Sequence, residues 1–227
     1  MPGSYIVAGA RTPIGKMSGA LASFSAADLG GFAIAEALKR AGVRPDQVDH
    51  VIMGQVLMAG QGQVPSRQAA VNAGIPMNVP SVNVNKVCLS GLNAIYLADQ
   101  MIANGDADIV VAGGMESMTN APYIAPGARG GFRFGDTQLL DAIQRDGLWC
   151  AFDACLMGLG TERYAAGNIS REAQDDLAMK SNQRAAAAIA AGRLAEEIVP
   201  VAIPQRKGDP VIVDTDEGVR ASTTMES

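Results

Sequence analysis

Cys88 stands where a strand-like run, Val82-Asn83-Val84-Asn85-Lys86-Val87, gives way to a helix-like one, Leu89-Ser90-Gly91-Leu92. The unpaired N–H groups and positive dipole end of a helix start face a residue so placed, and both favour a thiolate, the nucleophilic form of the side chain. The same N–H groups suit a developing oxyanion. Gly91 and the small Ser90 leave room for other backbone to approach, as small residues do in the nucleophile elbows of hydrolases. A cysteine opening a helix is equally compatible with a small buried filler. Position alone therefore leaves a nucleophile and a packing residue both open.

The other candidate residues carry less. The remaining thiols, Cys150 and Cys155, are five positions apart and lack the second Cys or His pair of a tetrahedral metal site, so no metal site is expected and both read as structural thiols. Three cysteines are an odd, sparse set that suits reduced intracellular thiols. The single histidine, His50, lies beside an expected strand and reads as a surface or edge residue. A net charge of -5 argues against a nucleic-acid partner, which needs a basic face. Arg129, Arg133, Arg206, Lys207 and Arg220 could locally meet a phosphorylated small molecule, or be solvated surface charge. Gly60-Gln61-Gly62-Gln63 lacks the third glycine and acidic partner of a dinucleotide-binding turn.

The elements that must position Cys88 follow from periodicity. Short apolar runs alternate with helix-period segments over the first 115 or so residues, the pattern of an α/β sheet with packed helices. Strands are expected at Ser4–Ala8, within Val48–Val56, at Ser81–Val87 and at Asp108–Ala112, the last apolar throughout and so buried on both faces. Ser25 and Asp28 make a capping box for a helix that carries Leu29, Phe32 and Leu38 and ends at Lys39, Arg40 and Gly42. A short helix runs from Pro65 to Ala73 and closes at Gly74. Another runs from Cys88 to Ala103 with Leu92, Ile95, Ala98 and Ile102 as its apolar stripe.

After Met118, Pro122, Pro126, Gly127, Gly130, Gly131 and Gly135 break every period, which places a boundary between residues 1–118 and 119–227. Beyond it a helix is expected from Ser170 to Ala191, with strand-like runs at Ile198–Ile203 and Val211–Asp214. The composition, 48% hydrophobic and 18% charged, fills a globular core. No run nears the roughly 20 apolar residues of a membrane span, and Met1-Pro2-Gly3-Ser4 does not resemble a signal peptide, so no membrane partner and a cytoplasmic setting are expected.

Two stretches, Val82 to Ile95 and Val110-Val111-Ala112-Gly113-Gly114-Met115-Glu116-Ser117-Met118-Thr119-Asn120-Ala121-Pro122, closely resemble the N-terminal signatures of thiolases. Arg11-Thr12-Pro13-Ile14-Gly15, Gly54-Gln55-Val56 and Arg67-Gln68-Ala69-Ala70 fall in the same order, and the resemblance covers essentially the whole chain. It implies a thiolase fold: an N-terminal βαβαβαββ core with a mixed sheet over residues 1–118, and a loop domain over 119–227, incomplete at its end, that covers CoA. It implies that Cys88 accepts an acyl group from acetyl-CoA before a second acetyl-CoA condenses to acetoacetyl-CoA, or the reverse thiolysis. CoA is then a substrate, and no cofactor is expected.

Asn85-Lys86-Val87-Cys88 looks more like biosynthetic acetyl-CoA acetyltransferases than degradative 3-ketoacyl-CoA thiolases. By resemblance Leu148, Met157, Arg220 and Ser227 line CoA, and the loop Pro126–Gly135 resembles a tetramerisation loop, implying a homodimer or homotetramer. Leu89 and Leu156 depart from the usual Gly and His, which puts substrate choice in question.

The C-terminal core domain of complete thiolases, with its Asn-Glu-Ala, Gly-His-Pro and Cys-Gly-Gly-Gly type motifs, has no counterpart in these residues. The chain alone is therefore expected to lack turnover and to self-associate through surface the second domain would bury. A ketoacyl synthase, a 3-ketoacyl-CoA thiolase and a non-catalytic CoA-binding fragment are the competing readings.

Overall fold

The computed structural model describes residues 3–227. Met1 and Pro2, on which the reading of the chain's start partly rests, lie outside the described residues. The core order is α1 (Ala26–Ala41), β1 (His50–Gly54), α2 (Pro65–Asn72), β2 (Ser81–Val84), α3 (Ser90–Asn104) and β3 (Val110–Gly114). The three strands form one parallel sheet in the order β2-β1-β3, with Ile52 opposite both Val82 and Ala112.

Alternation along β1 assigns the two faces of the sheet. Val51 and Met53 pack into a cluster with Ile34 and Leu38 of α1 and with Ala69 and Ala70 of α2. Ile52 points the other way, against Ala94 and Ala98 of α3. The result is three layers, helices on both sides of a sheet, as an all-parallel sheet requires.

Local signals set the helix ends. Ser25 Oγ accepts from Asp28 N while the Asp28 carboxylate accepts from Ser25 N, so the capping box is formed. Gly42 closes α1 at φ 66°, Gly105 closes α3 at φ 79° and Gly74 follows α2 at φ 85°, left-handed conformations that cost glycine little.

Four expectations need correction. Ser4–Ala8 forms no strand: it finds no ladder partner among the described residues, and Tyr5, Ile6 and Val7 lie exposed. Ser4 Oγ donates to Asp99 on α3, and just past the segment Arg40 Nη1 of α1 donates to the Gly9 carbonyl. The described core sheet is parallel rather than mixed, and antiparallel pairing is confined to separate two-stranded ladders. β3 is half-buried rather than buried on both faces, because it is an edge strand. The buried stripe of α3 is Ser90, Ala94 and Ala98, so of the expected Leu92, Ile95, Ala98 and Ile102 only Ala98 is on it. Alanines let that helix lie close on the sheet, and Leu92 is left 63% exposed.

After Met118 the chain folds into smaller pieces. β4 (Tyr123–Ile124) pairs with β5 (Leu140–Asp141), and a π-helical turn, Ile143–Leu148, leads into the hairpin β6 (Trp149–Cys150) and β7 (Cys155–Leu156). Helices α4 (Met157–Ala165) and α5 (Arg171–Ala190) follow, Ser170 capping the second, and then the antiparallel pair β8 (Val201–Ile203) and β9 (Val211–Val213). No helix among the described residues is long and apolar enough to cross a membrane.

Two carboxylates fasten this later part to the start of the chain. Asp216 takes a two-pronged bond from Arg11, at 2.8 and 3.0 Å, and a third from Ile14 N, while Glu217 accepts from Lys16 N at 2.7 Å. The Arg11 bond, reinforced by Ile14 N, holds the Asp216 carboxyl below its ordinary 3.8. A depressed carboxyl adds stability that is complete above the ordinary value and is lost as pH falls through the lower folded one. Asp216→Asn is accordingly expected to melt a few degrees below wild type at neutral pH, the gap closing as pH drops below about 4. A gap that stays constant from pH 7 to pH 3 in thermal scans would contradict this.

Candidate active site

The strand that leads to Cys88 stops at Val84 because the next residues form a tight elbow. Asn85 Oδ1 accepts from Val87 N at 2.9 Å, and Val87 is held at φ 50°, a strained conformation for a β-branched residue. Ser90 Oγ closes the bend from below, accepting from Lys86 N at 2.8 Å and donating to the Val87 carbonyl. Leu89 N and Ser90 N also return to the carbonyls of Lys86 and Val87. Cys88 is carried on the crest of this elbow, exposed. Within this chain Cys88 is therefore not a buried filler.

Helix α3 begins at Ser90, two residues later than expected, and its N-cap, Leu89, offers no side-chain acceptor. First-turn N–H groups of an uncapped helix need an acceptor from elsewhere, a place a ligand oxygen can fill.

The floor under the elbow is glycine. A Cβ on Gly54, the last residue of β1, would lie 2.5 Å from Gly91 N and 2.7 Å from Ser90 Cβ. A Cβ on Gly114, the end of β3, would meet Gly91 Cα at 3.4 Å. Strand ends and helix start thus touch backbone to backbone.

Behind them lies a polar layer. Asn83 Nδ2 donates to the buried Gln55 Oε1, and Asn83 Oδ1 accepts from Ser66 N at the start of α2. Glu116 accepts from Val56 N and Leu57 N and so fixes the turn leaving β1. Desolvation pushes its carboxyl up, against the pull of those two backbone bonds.

Ser90→Ala removes both hydroxyl bonds of the elbow. The expected cost is about 1–3 kcal/mol in denaturant unfolding, with faster amide exchange at Val87, Cys88 and Leu89 than in α1. Unchanged exchange at those three amides would argue against the role assigned to the hydroxyl.

No side chain among the described residues hydrogen-bonds the Cys88 sulfur, and the Lys86 ammonium bonds Asn93 instead. His50 pairs with Val110 at the far end of β1 from Gly54, roughly 13 Å away along the strand. Burial alone pushes its imidazole pKa down.

The four positions expected at CoA separate into two places. Leu148 and Met157 flank the β6–β7 hairpin on either side of the paired Trp149 and Leu156, so the hairpin brings them together, both partly exposed. Arg220 is fixed by its backbone N to Asn182 on α5, and Ser227 closes a local turn on Thr224. No hydrogen bond among the described residues joins either to the hairpin.

Sequence reasoning missed Asn85 as a brace, Ser90 Oγ as a latch, and the carboxylates Asp216 and Glu217. The run Asn85-Lys86-Val87 held the clue to the first, since Asn bonds readily to backbone two residues on. Nothing local signals the others, whose partners are distant in sequence or depend on a bend not yet formed.

Residues 4–227 match the family model of the thiolase N-terminal domain. The chain is 54% identical over 223 residues to an acetyl-CoA acetyltransferase of Cupriavidus necator, covering 98% of this chain and 57% of that protein. It is 53% identical to a probable acetyl-CoA acetyltransferase of Mycolicibacterium smegmatis, covering 98% of this chain and 58% of the other. It is 50% identical to an acetyl-CoA acetyltransferase of Pseudomonas aeruginosa, covering 98% and 57%. The chain thus spans rather more than half the length of the curated relatives it matches.

Proposed function

This chain belongs to the thiolase family, and on that premise we propose that it is the nucleophile-bearing part of an acetyl-CoA C-acetyltransferase. The observation that carries the reading is Cys88, exposed on a strained elbow at the start of an uncapped helix. In the first step the Cys88 sulfur attacks the acetyl carbonyl of acetyl-CoA, the C–S bond to CoA breaks, and the thiol proton leaves with CoA as its thiol. We assign the oxyanion of that step to the first-turn N–H groups of α3 beyond Ser90, whose own N–H is bonded to the Val87 carbonyl.

In the second step the carbanion of another acetyl-CoA attacks the acetyl-cysteine to give acetoacetyl-CoA and free Cys88. Run backwards, the sequence is thiolysis. Condensation needs a base to remove a proton from the second acetyl-CoA, and the described residues place none at Cys88. This 227-residue chain is therefore proposed to lack turnover by itself.

Leu148 and Met157, adjacent across the hairpin, support a seat for the pantetheine arm, with Arg220 and Ser227 assigned to the nucleotide end. In this reading residues 1–118 are the core and 119–227 the loop domain that covers CoA. A cytoplasmic homodimer or homotetramer is proposed, supported by the exposed apolar side chains Leu92, Tyr96 and Phe134.

The test is an intact mass of the chain before and after acetyl-CoA, with the modified peptide mapped. One acetyl group on Cys88 supports the reading. Acetylation elsewhere, or none while CoA still binds, favours a binding fragment.

A further inference from the structure

Cys150 and Cys155 are directly opposite one another in the antiparallel β6–β7 ladder. Side chains of such a pair emerge on the same face of the hairpin. Opposite Cα atoms in antiparallel ladders lie about 4.5–5.5 Å apart, within the roughly 4.4–6.8 Å span of disulfides. We propose that Cys150 and Cys155 form a reversible thiol–disulfide exchange site, oxidised by low-molecular-weight disulfides of the glutathione type.

The surroundings suit an ordered exchange. Cys150 is half-buried and Cys155 buried, so an incoming disulfide meets Cys150 first. Cys150 Sγ donates to the Asp153 carboxylate at 3.5 Å and accepts from Asp153 N at 3.3 Å, in the four-residue turn that holds the two strands together. Arg163 Nη1 donates to Cys155 Sγ at 3.7 Å, which gives the charge passing through that sulfur a cationic partner.

The first step forms a bond from Cys150 to one half of the disulfide reagent and releases the other half as a thiol. In the second, Cys155 displaces the remaining half as a second thiol and the Cys150–Cys155 bond closes. Two thiol protons leave with the two released thiols, the reagent is reduced and the cysteine pair is oxidised. The hairpin itself is already closed by its ladder, so the bridge needs no new chain reversal. Oxidation would lock the Trp149–Leu156 pair beside it.

The site stands on ladder register alone and does not depend on the acyl-transfer reading. Cys88 lies on a different element, and no hydrogen bond among the described residues joins its elbow to this hairpin.

The experiment equilibrates the full chain in graded mixtures of oxidised and reduced glutathione, quenches in acid, alkylates in denaturant and digests with trypsin. No lysine or arginine separates the two cysteines, so both fall in the single peptide Asp146–Arg163. The expected result is that this peptide loses both alkylation sites together, is lighter by two hydrogens and carries no glutathione. Cys150→Ser should prevent this and Cys88→Ala should not, while amide exchange at Trp149 and Leu156 slows on oxidation. A persistent glutathione adduct on Cys150 beside a free Cys155 would overturn the proposal. So would bridges to Cys88 or between chains in place of the intramolecular one.

Discussion

Cys88→Ala is expected to abolish covalent capture of acetyl from acetyl-CoA, lowering its rate by on the order of 10⁴-fold or more and leaving the chain at its unmodified mass. The expectation rests on the elbow, because the other two thiols lack its geometry. Cys155 is buried in a hairpin, and Cys150 is half-buried on the strand paired with it. Cys88→Ser should stay close to the same floor, since a hydroxyl without a neighbouring base is a far weaker nucleophile than a thiolate. His50→Ala should leave capture unaltered, as the imidazole lies at the opposite end of β1. The measurement is the time course of acetylation by intact mass with mapping of the adduct. Undiminished capture by Cys88→Ala would transfer the nucleophile to another residue, and a large loss in His50→Ala would mean that the strand geometry had been misread.

The junction at Cys88 was legible because strand period and helix period meet there, and the ends of α1, α2 and α5 were legible because caps and closing glycines are local. Two kinds of feature were not. Ser4–Ala8 reads as a strand by composition, yet a strand exists only where a ladder partner accepts it, and partner choice is not local. Of the apolar stripe expected on α3 only Ala98 is buried, and the sheet takes the face of Ser90, Ala94 and Ala98 because close approach at Gly54 and Gly91 leaves room only for small side chains.

The same limit applied to the site. The exposure of Cys88 had to be seen, since a helix-start cysteine is compatible with burial. Pairing of Cys150 with Cys155 depends on a four-residue turn whose Ala154 adopts φ 49°, a conformation alanine does not advertise.

Gly54→Ala is expected to be the most damaging single methyl addition in the core. The glycine is not there for an unusual φ; it is there because the new carbon would stand 2.5 Å from both Gly91 N and the Ser90 carbonyl carbon. Both are backbone atoms of the first turn of α3, so no side-chain rotation relieves the contact. Relief requires α3 to lift from β1, which would open the Ile52–Ala94–Ala98 packing and drag the Ser90 latch away from Lys86 and Val87. Overpacking of this kind costs about 1–3 kcal/mol where neighbours can yield and more where they cannot, and here the upper end or loss of folding is expected.

Gly91→Ala supplies the contrast. Its added carbon meets nothing closer than 3.7 Å and should cost under about 1 kcal/mol. Denaturant unfolding of the two variants beside wild type decides the matter, with Cys88 alkylation as a second readout in case Gly54→Ala folds. Equal losses in the two variants would show that the elbow does not rest on the end of β1, and that Cys88 is positioned by the loop bonds of Asn85 and Ser90 alone.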